Sequence, residues 1–232
     1  MIHSAALFDF NGVLVDDERL HLAGFNEVLA PLGVRVTDED YDARYIGFDD
    51  RGAFRAMLAD RGLAHDDARV AALIEAKRGV YLRLAAADLQ VFPGAAEALR
   101  DVAAAMPVVI VSGALRDEIE MALAVMGARD VVLDVVSAED TQACKPDPEG
   151  YLIGLQRLRN KGFDVVAGAC VAVEDSLAGV AAARAAGLKV IGVAQSHGAS
   201  ALAEGGADEV VAAVGELRAA HILALASRAV GR

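Results

Sequence analysis

Short apolar runs that alternate with helix-length amphipathic segments constrain the fold of this chain more than any other feature. Val and Ile dominate most of these runs, and several are nearly continuous in apolarity. Strands of a parallel sheet covered by helices on both faces have this composition, because both sides of each strand are buried. The runs are Ala5–Phe10, Val108–Ser112, Val131–Val136, Cys170–Val173, Val190–Val193 and Glu209–Ala212. The alternation predicts an α/β fold with an open, doubly wound, Rossmann-like parallel sheet.

The segment from about Asp16 to Gln90 breaks this alternation, because it contains no convincing β run. Its apolar residues follow helical spacing, and Thr37 with Asp40 is an acceptable capping pair for one of the helices. We predict a helical domain of residues 16–90, inserted into a core domain formed by residues 1–15 and 91–232. An insert that follows a strand in this way lies above the sheet, where ligands of open α/β folds bind.

Composition narrows the class of protein. Apolar residues make up 55% of the 232 residues and charged residues 24%, which is typical of a soluble globular protein. The formal charge is −12 and no basic cluster is present, so neither nucleic acid nor an anionic membrane is expected as a partner. The N-terminus lacks the apolar run of a signal peptide or membrane span. We expect a cytoplasmic monomer or weak dimer.

The two cysteines, Cys144 and Cys170, are too few for a disulfide scaffold and lack metal-ligand spacing. Both lie beside candidate site segments, but small buried thiols are the favoured interpretation.

Asp9 is the first candidate for chemistry, since it ends an apolar run and is followed by Asn11-Gly12. A carboxylate at that place faces the crevice above the sheet, and Gly12 allows a sharp turn of the backbone. Taken alone, these residues favour an ordinary turn, because Asp, Asn and Gly are common there. The rest of the chain reverses that preference.

Two further segments contain residues suited to binding phosphate. Ser112-Gly113 ends an apolar run before a helix, so the hydroxyl and nearby N–H groups can bind phosphate oxygens, although a Ser-Gly turn alone is weak support. Lys145 is one of four lysines and lies in a loop that two prolines rigidify. A solvated surface lysine is the alternative interpretation.

The last segment closes a strand with two carboxylates, Glu174 and Asp175. Paired carboxylates suit Mg²⁺, which prefers oxygen ligands. The alternative is a purely structural acidic start of a helix. Gly179, which follows, lets that helix pack closely against the sheet.

Together and in this order, the four segments resemble the motifs of the haloacid dehalogenase (HAD) superfamily, whose phosphatases and phosphomutases begin with D-x-D-G-[VT]-x-x-D. The chain is identified as a member with a helical C1-type cap, similar to the β-phosphoglucomutase and phosphoglycolate phosphatase-like group. The resemblance implies that Asp9 attacks phosphorus, that Lys145 neutralises the nucleophile and phosphoryl group, and that Ser112 and Gly113 bind phosphate. It also implies a Mg²⁺ site built from Asp9, the backbone carbonyl of Asn11, Glu174 and Asp175.

Asn11 departs from the family pattern, which has an Asp there as the proton shuttle. An amide cannot carry a proton, and loss of a general acid–base costs a factor of about 10²–10⁴. Three explanations stay open: a leaving group that needs little protonation or another acid from the cap, a binding or regulatory protein, or an engineered substitution. Asp16 and Asp17 are candidate substitute acids, but solvated linker carboxylates are favoured.

The insert contributes further candidates through the same resemblance. His21 and Lys77 occupy positions similar to a His–Lys pair beside the catalytic loop of β-phosphoglucomutase-like members. A partly buried helix histidine and a surface lysine are equally acceptable interpretations. Arg51, in a segment that resembles the cap loop, and Arg116 are candidate substrate contacts, with a solvated arginine as the alternative.

The expected function is a Mg²⁺-dependent phosphatase for a small phosphorylated metabolite, such as a sugar phosphate. A phosphomutase is the first alternative, although Asn11 counts against it because a mutase moves protons in every cycle. A dehalogenase is disfavoured by the Glu174–Asp175 pair, and a phosphonoacetaldehyde hydrolase by the late position of Lys77. A weakly active or non-catalytic phosphometabolite-binding protein also stays open.

Overall fold

The computed structural model describes residues 3–228 and contains a six-stranded, wholly parallel sheet. The strands of the chain are β1 (His3–Phe8), β2 (Val15–Asp16), β3 (Gln90–Val91), β4 (Val108–Val111), β5 (Asp134–Val136), β6 (Val165–Glu174), β7 (Lys189–Val193) and β8 (Glu209–Val211). The large sheet has the order β5-β4-β1-β6-β7-β8. The strand order therefore reverses at β1, since the chain adds β4 and β5 on one side and β6 to β8 on the other.

Helices cover the sheet and fill the segment between β2 and β3. They are α1 (Glu18–Leu29), α2 (Asp38–Arg44), α3 (Asp50–Ala59), α4 (Asp67–Asp88), α5 (Ala95–Ala103), α6 (Arg116–Val125), α7 (Glu149–Asn160), α8 (Leu177–Ala185), α9 (Ala199–Glu204) and α10 (Ala219–Ser227). Thr37 caps α2 as predicted, because its hydroxyl accepts a hydrogen bond from the Asp40 N–H at 3.1 Å.

Both faces of the large sheet are buried, which confirms the predicted doubly wound α/β class. Side chains of β1 alternate between the faces. Ala6 and Phe8 join one hydrophobic cluster, and Ala5 and Leu7 join the other. A strand buried on both sides has no polar face, and this explains the near-continuous apolar runs in the sequence.

Two of the predicted runs differ from the strands that form. Val131 ends a short 3₁₀ helix (Arg129–Val131), so β5 begins only at Asp134. The run Cys170–Val173 is the buried end of a longer strand, since β6 begins at Val165. The prediction of buried thiols is correct for Cys170 and wrong for Cys144, which lies exposed in the loop before α7.

Helices α1 to α4 pack around a hydrophobic cluster of their own, which includes Phe25, Phe54 and Met57. Two antiparallel strands, β2 and β3, lie at the points where the chain enters and leaves this segment. An ion pair between Arg78 of α4 and Asp117 of α6, at 2.5 Å, joins the helical segment to the sheet side of the molecule. Within residues 3–228, no helix combines the length and apolarity that crossing a membrane requires.

Candidate functional site

The carboxyl ends of the central strands bring the four sequence segments together. Asp9 follows β1, Ser112 follows β4, and Glu174 ends β6, while Lys145 reaches the same place from the loop before α7. Open α/β folds bind ligands in the crevice where the strand order reverses. Because β1 is that point here, Asp9 lies at the favoured position for chemistry.

Lys145 lies between two carboxylates of this site. Its ammonium nitrogen is 2.7 Å from Asp9 Oδ1 and 2.7 Å from Glu174 Oε1, and it also donates to the Val111 carbonyl at 3.1 Å. Both carboxylates raise the pKa of Lys145 against the opposing effect of burial. Lys145 therefore stays charged and is held against Asp9.

Asp9, Glu174 and Asp175 form an acidic cluster whose carboxylate oxygens lie within 4.8 Å of one another. Burial raises the pKa of Asp9, and Glu174 and Asp175 add to this effect against Lys145. Burial and Glu174 likewise raise the pKa of Asp175 to about 6. Three buried carboxylates next to a single lysine leave an excess of negative charge at this place, and a bound cation offsets such an excess.

The donor set of this cluster fits Mg²⁺, which takes oxygen ligands and favours carboxylates. Gly12 and Gly179 keep the space around the carboxylates clear. A Cβ atom on Gly12 would lie 2.0 Å from Asp175 Oδ2, and one on Gly179 would lie 1.9 Å from Glu174 Oε2. Gly12 also has a φ of 74°, which side chains disfavour, so two separate constraints require glycine there.

The structure orients Ser112 and Asn11 toward each other. The Ser112 hydroxyl accepts a hydrogen bond from the Ala114 N–H at 3.1 Å and donates to Asn11 Oδ1 at 3.2 Å. Gly113 is exposed beside it, and a Cβ there would lie 3.6 Å from Asp49 Cβ, on the loop before α3. The helical segment thus approaches the predicted phosphate-binding turn.

His21 and Lys77 meet in the structure. The Lys77 ammonium is 2.8 Å from His21 Nδ1 and 2.6 Å from Asp50 Oδ1, and its side chain is fully buried. The surface position that the sequence allowed for Lys77 is therefore wrong. The pair is adjacent to the loop that follows β1, because His21 Nε2 lies 3.4 Å from Asn11 Nδ2.

The two candidate arginines have different surroundings. Arg51 is exposed in the first turn of α3. Arg116 lies at the edge of the sheet and already has protein partners. Its guanidinium donates to Asp140 at 2.5 Å and to the Val135 carbonyl at 3.1 Å.

Several buried polar groups of the site have surroundings that the sequence analysis did not predict. Asp17 was expected in solvent but is 1% exposed, and Tyr81 Oη donates to its carboxylate at 2.5 Å. Tyr151 Oη donates in the same way to Glu174 Oε1. Glu118 is buried near His21 and Lys77. The sequence gives no sign of the two tyrosine hydrogen bonds, because each tyrosine lies 23 or more positions from its carboxylate partner.

Asp17, His21, Asp50, Lys77 and Glu118 are called the junction cluster below, because they lie between the helical segment and the sheet side. Burial works to raise the pKa of Asp17, but His21 and the hydrogen bonds from Asn11 and Tyr81 outweigh it, so the pKa is lowered. Asp17 is therefore a buried, ionised carboxylate.

Comparison with known proteins gives one family. Residues 6–193 match the family model of haloacid dehalogenase-like hydrolases. CbbY of Rhodobacter capsulatus is 33% identical over 196 residues, which are 81% of this chain and 83% of that protein. Validoxylamine A 7'-phosphate phosphatase of Streptomyces hygroscopicus subsp. limoneus is 30% identical over 225 residues, which are 95% of this chain and 99% of that protein.

A solved structure is similar over nearly the same length. It is a CbbY mutant from Rhodobacter sphaeroides in complex with xylulose-(1,5)bisphosphate. The TM-score is 0.80 at 27% identity, and the match covers 93% of this chain and 96% of that one.

Proposed function

Because the chain belongs to the haloacid dehalogenase-like hydrolase family, we propose that it is a Mg²⁺-dependent phosphatase for a small phosphorylated metabolite. The names of two similar proteins support this class of substrate. One is a phosphatase of validoxylamine A 7'-phosphate, and the CbbY structure holds a sugar bisphosphate. A phosphorylated sugar or a related polyol is therefore our first choice of substrate.

One observation carries the proposal: Asp9 lies at the reversal of the strand order with the Lys145 ammonium 2.7 Å from Oδ1. A carboxylate there can attack phosphorus in line, forming an aspartyl-phosphate as the bond from phosphorus to the leaving oxygen breaks. Water then attacks the aspartyl-phosphate and releases inorganic phosphate and the free Asp9 carboxylate. Lys145 offsets charge on the transferring group throughout, which is the main demand of phosphoryl transfer.

In this proposal Asp9, Asp175 and the backbone carbonyl of Asn11 would hold Mg²⁺, and Glu174 would support the site from its contact with Lys145. Mg²⁺, when bound, offsets negative charge on the transferring phosphoryl group. Tyr151 holds Glu174 in place through its hydroxyl. Ser112 and Gly113 bind the phosphate oxygens, and the Ser112 hydroxyl is already fixed by the Ala114 N–H.

Residues 16–90 form the cap domain of this proposal. Its loop before α3 approaches Gly113, which brings the exposed Arg51 to the same side as the substrate. Arg51 is our candidate contact for a distal substrate group. His21 and Lys77 act from inside the junction cluster, and Arg116 is a weaker candidate because Asp140 already engages its guanidinium.

Asn11 supports a second candidate function, binding of a phosphometabolite without rapid turnover. Its amide cannot protonate the leaving oxygen, so turnover through Asp9 is slow for substrates whose leaving group needs a proton. Phosphatase activity toward good leaving groups is less affected. A phosphomutase is our third choice, since it needs proton transfer in both directions.

The test is release of inorganic phosphate from a panel of phosphorylated sugars and polyols, with and without Mg²⁺. We expect release that requires Mg²⁺ and that the Asp9→Asn variant abolishes. Asp130→Asn, the same substitution at an exposed position, is the matched control and should keep the wild-type rate. Activity that survives in Asp9→Asn would exclude Asp9 as the nucleophile. Tight binding without release on every substrate favours the second candidate function.

A further inference from the structure

The side chain of Asn11 is held from two sides by fixed hydrogen bonds. Its amide nitrogen donates to both carboxylate oxygens of Asp17, at 3.0 Å and 2.9 Å. Its amide oxygen accepts from Ser112 Oγ at 3.2 Å. The Ser112 hydroxyl must donate here, because the Asn11 amide oxygen can only accept, and the same hydroxyl oxygen accepts from the Ala114 N–H. The donor and the acceptor of each of these hydrogen bonds are therefore fixed.

The Asp17 carboxylate determines how the Asn11 amide is oriented, because an ionised carboxylate can only accept hydrogen bonds. Three donors converge on its carboxylate: Asn11 Nδ2, Tyr81 Oη and His21 Nε2, the last at 3.3 Å from Oδ2. Asp17 is 1% exposed, so water does not replace any of them. A buried carboxylate is stable only when its lone pairs meet donors of this kind. Asn11 supplies one of these three donors.

A carboxylate at position 11 has no proton to donate to Asp17. The oxygen that replaces Asn11 Nδ2 would face both oxygens of Asp17 at about 3 Å in a buried site, where like charges are destabilising. The Ser112 hydroxyl would still find an acceptor, so the conflict lies entirely on the Asp17 side. An ionised Asp at position 11, where the family pattern leads one to expect an Asp, is therefore destabilised by Asp17.

We propose that Asn11 and Asp17 are a matched pair, in which the buried Asp17 carboxylate fixes the amide at position 11 and makes that position specific for a donor. Asp17 is a positioning residue, since it acts through Asn11. The pairing concerns the fold, and only its consequence for turnover rests on the proposed function. Asn11 is then a native partner of Asp17 and not an isolated defect of the first motif.

The test is a double-mutant cycle of Asn11→Asp, Asp17→Asn and the exchange of both. The single Asn11→Asp change should lower the melting temperature by at least about 4 °C, because it sets two carboxylates against each other. In the exchange, the amide at position 17 donates to the carboxylate at position 11, and its oxygen accepts from Tyr81. We expect the exchange to recover at least about half of the loss. Asp16→Asn, the same change at the exposed neighbouring position, should leave the melting temperature unchanged.

Turnover gives the readout that a purely structural role would not change. Asn11→Asp alone should give no gain in kcat, whereas the exchange should raise kcat at least about tenfold over that variant, since its carboxylate is correctly paired and can carry a proton. A stable Asn11→Asp protein with increased turnover overturns the proposal, and so does an exchange no more stable than Asn11→Asp. If no variant and no wild-type protein releases phosphate, the proposed function fails, but the melting temperatures still decide the pairing.

Discussion

Glu118 gives the sharpest quantitative prediction for the junction cluster. It lies on α6 and is 1% exposed. Its Oε2 accepts a hydrogen bond from the Leu115 N–H at 3.1 Å, and Oε1 has no hydrogen-bond partner among the described residues. Burial raises the pKa of Glu118 to about 7 from an ordinary value of 4.5, against the opposing charges of His21 and Lys77.

The sign of the effect follows from proton linkage. The folded protein binds the Glu118 proton more tightly than the unfolded chain, so the contribution to stability is complete below pH 4.5 and is lost as the pH rises to about 7. The pKa values of Glu118 in the folded protein and in the unfolded chain differ by about 2.5, and a pKa difference of one corresponds to 1.36 kcal/mol. Ionised Glu118 therefore destabilises the fold by about 3 kcal/mol, and most of this loss occurs between pH 5 and 8.

Glu118→Gln tests this directly, since glutamine resembles the protonated acid and does not titrate. We expect its stability relative to wild type to rise by about 2–3 kcal/mol between pH 5 and pH 8, or about 5–10 °C in melting temperature. Thermal and chemical unfolding at several pH values measure the difference. Glu120→Gln is the control on the same helix, where a surface pair with Arg129 should change the difference by less than about 1 kcal/mol. A constant difference for Glu118→Gln across this range would refute the reasoning.

Two further substitutions test the packing of the site. Gly12→Ala should remove Mg²⁺-dependent activity and lower stability, because its Cβ would lie 2.0 Å from Asp175 Oδ2, whereas Gly33→Ala has a similar positive φ with no atom within 4 Å of its Cβ. Equal losses of stability in these two variants would mean that backbone strain alone, and not the contact with Asp175, explains the effect. Lys77→Met should cost about 3–5 kcal/mol in the free energy of unfolding, because it leaves the Asp50 carboxylate without its buried cation. Denaturant titration measures this value, and a loss below about 1 kcal/mol would show that the pair contributes little to the fold.

The sequence predicted the sheet and the strand-end residues because both depend on local patterns. Asp9, Ser112 and Glu174 each follow an apolar run, and parallel strands bring their carboxyl ends to one edge of the sheet. The distances from these residues to Lys145 could not be predicted from the sequence, but the order of the motifs implied that Lys145 lies at the same site. The general position of the site was therefore predictable before any distance was known.

The junction cluster was not predictable in the same way, because most of its contacts join residues that are far apart along the chain. Asp17 follows directly on β2 at the entry to the helical segment, a place typical of solvated residues, but it is buried and Tyr81 donates to it from 64 positions away. Lys77 likewise finds its partners on α1 and α3. A lysine within a helix gives no sign of such contacts, so the surface interpretation was equally acceptable. Side-chain burial of this kind depends on tertiary packing.

Position 11 lies between two clusters that each hold excess negative charge. On one side, the acidic cluster sets three carboxylates against Lys145. On the other, the junction cluster sets three carboxylates against a lysine and a histidine. A further ionised carboxylate at position 11 would add repulsion toward Asp17, whereas the neutral amide of Asn11 donates to Asp17 and accepts from Ser112. The residue that departs from the proton shuttle of the first motif is therefore a neutral donor that satisfies the buried Asp17 carboxylate.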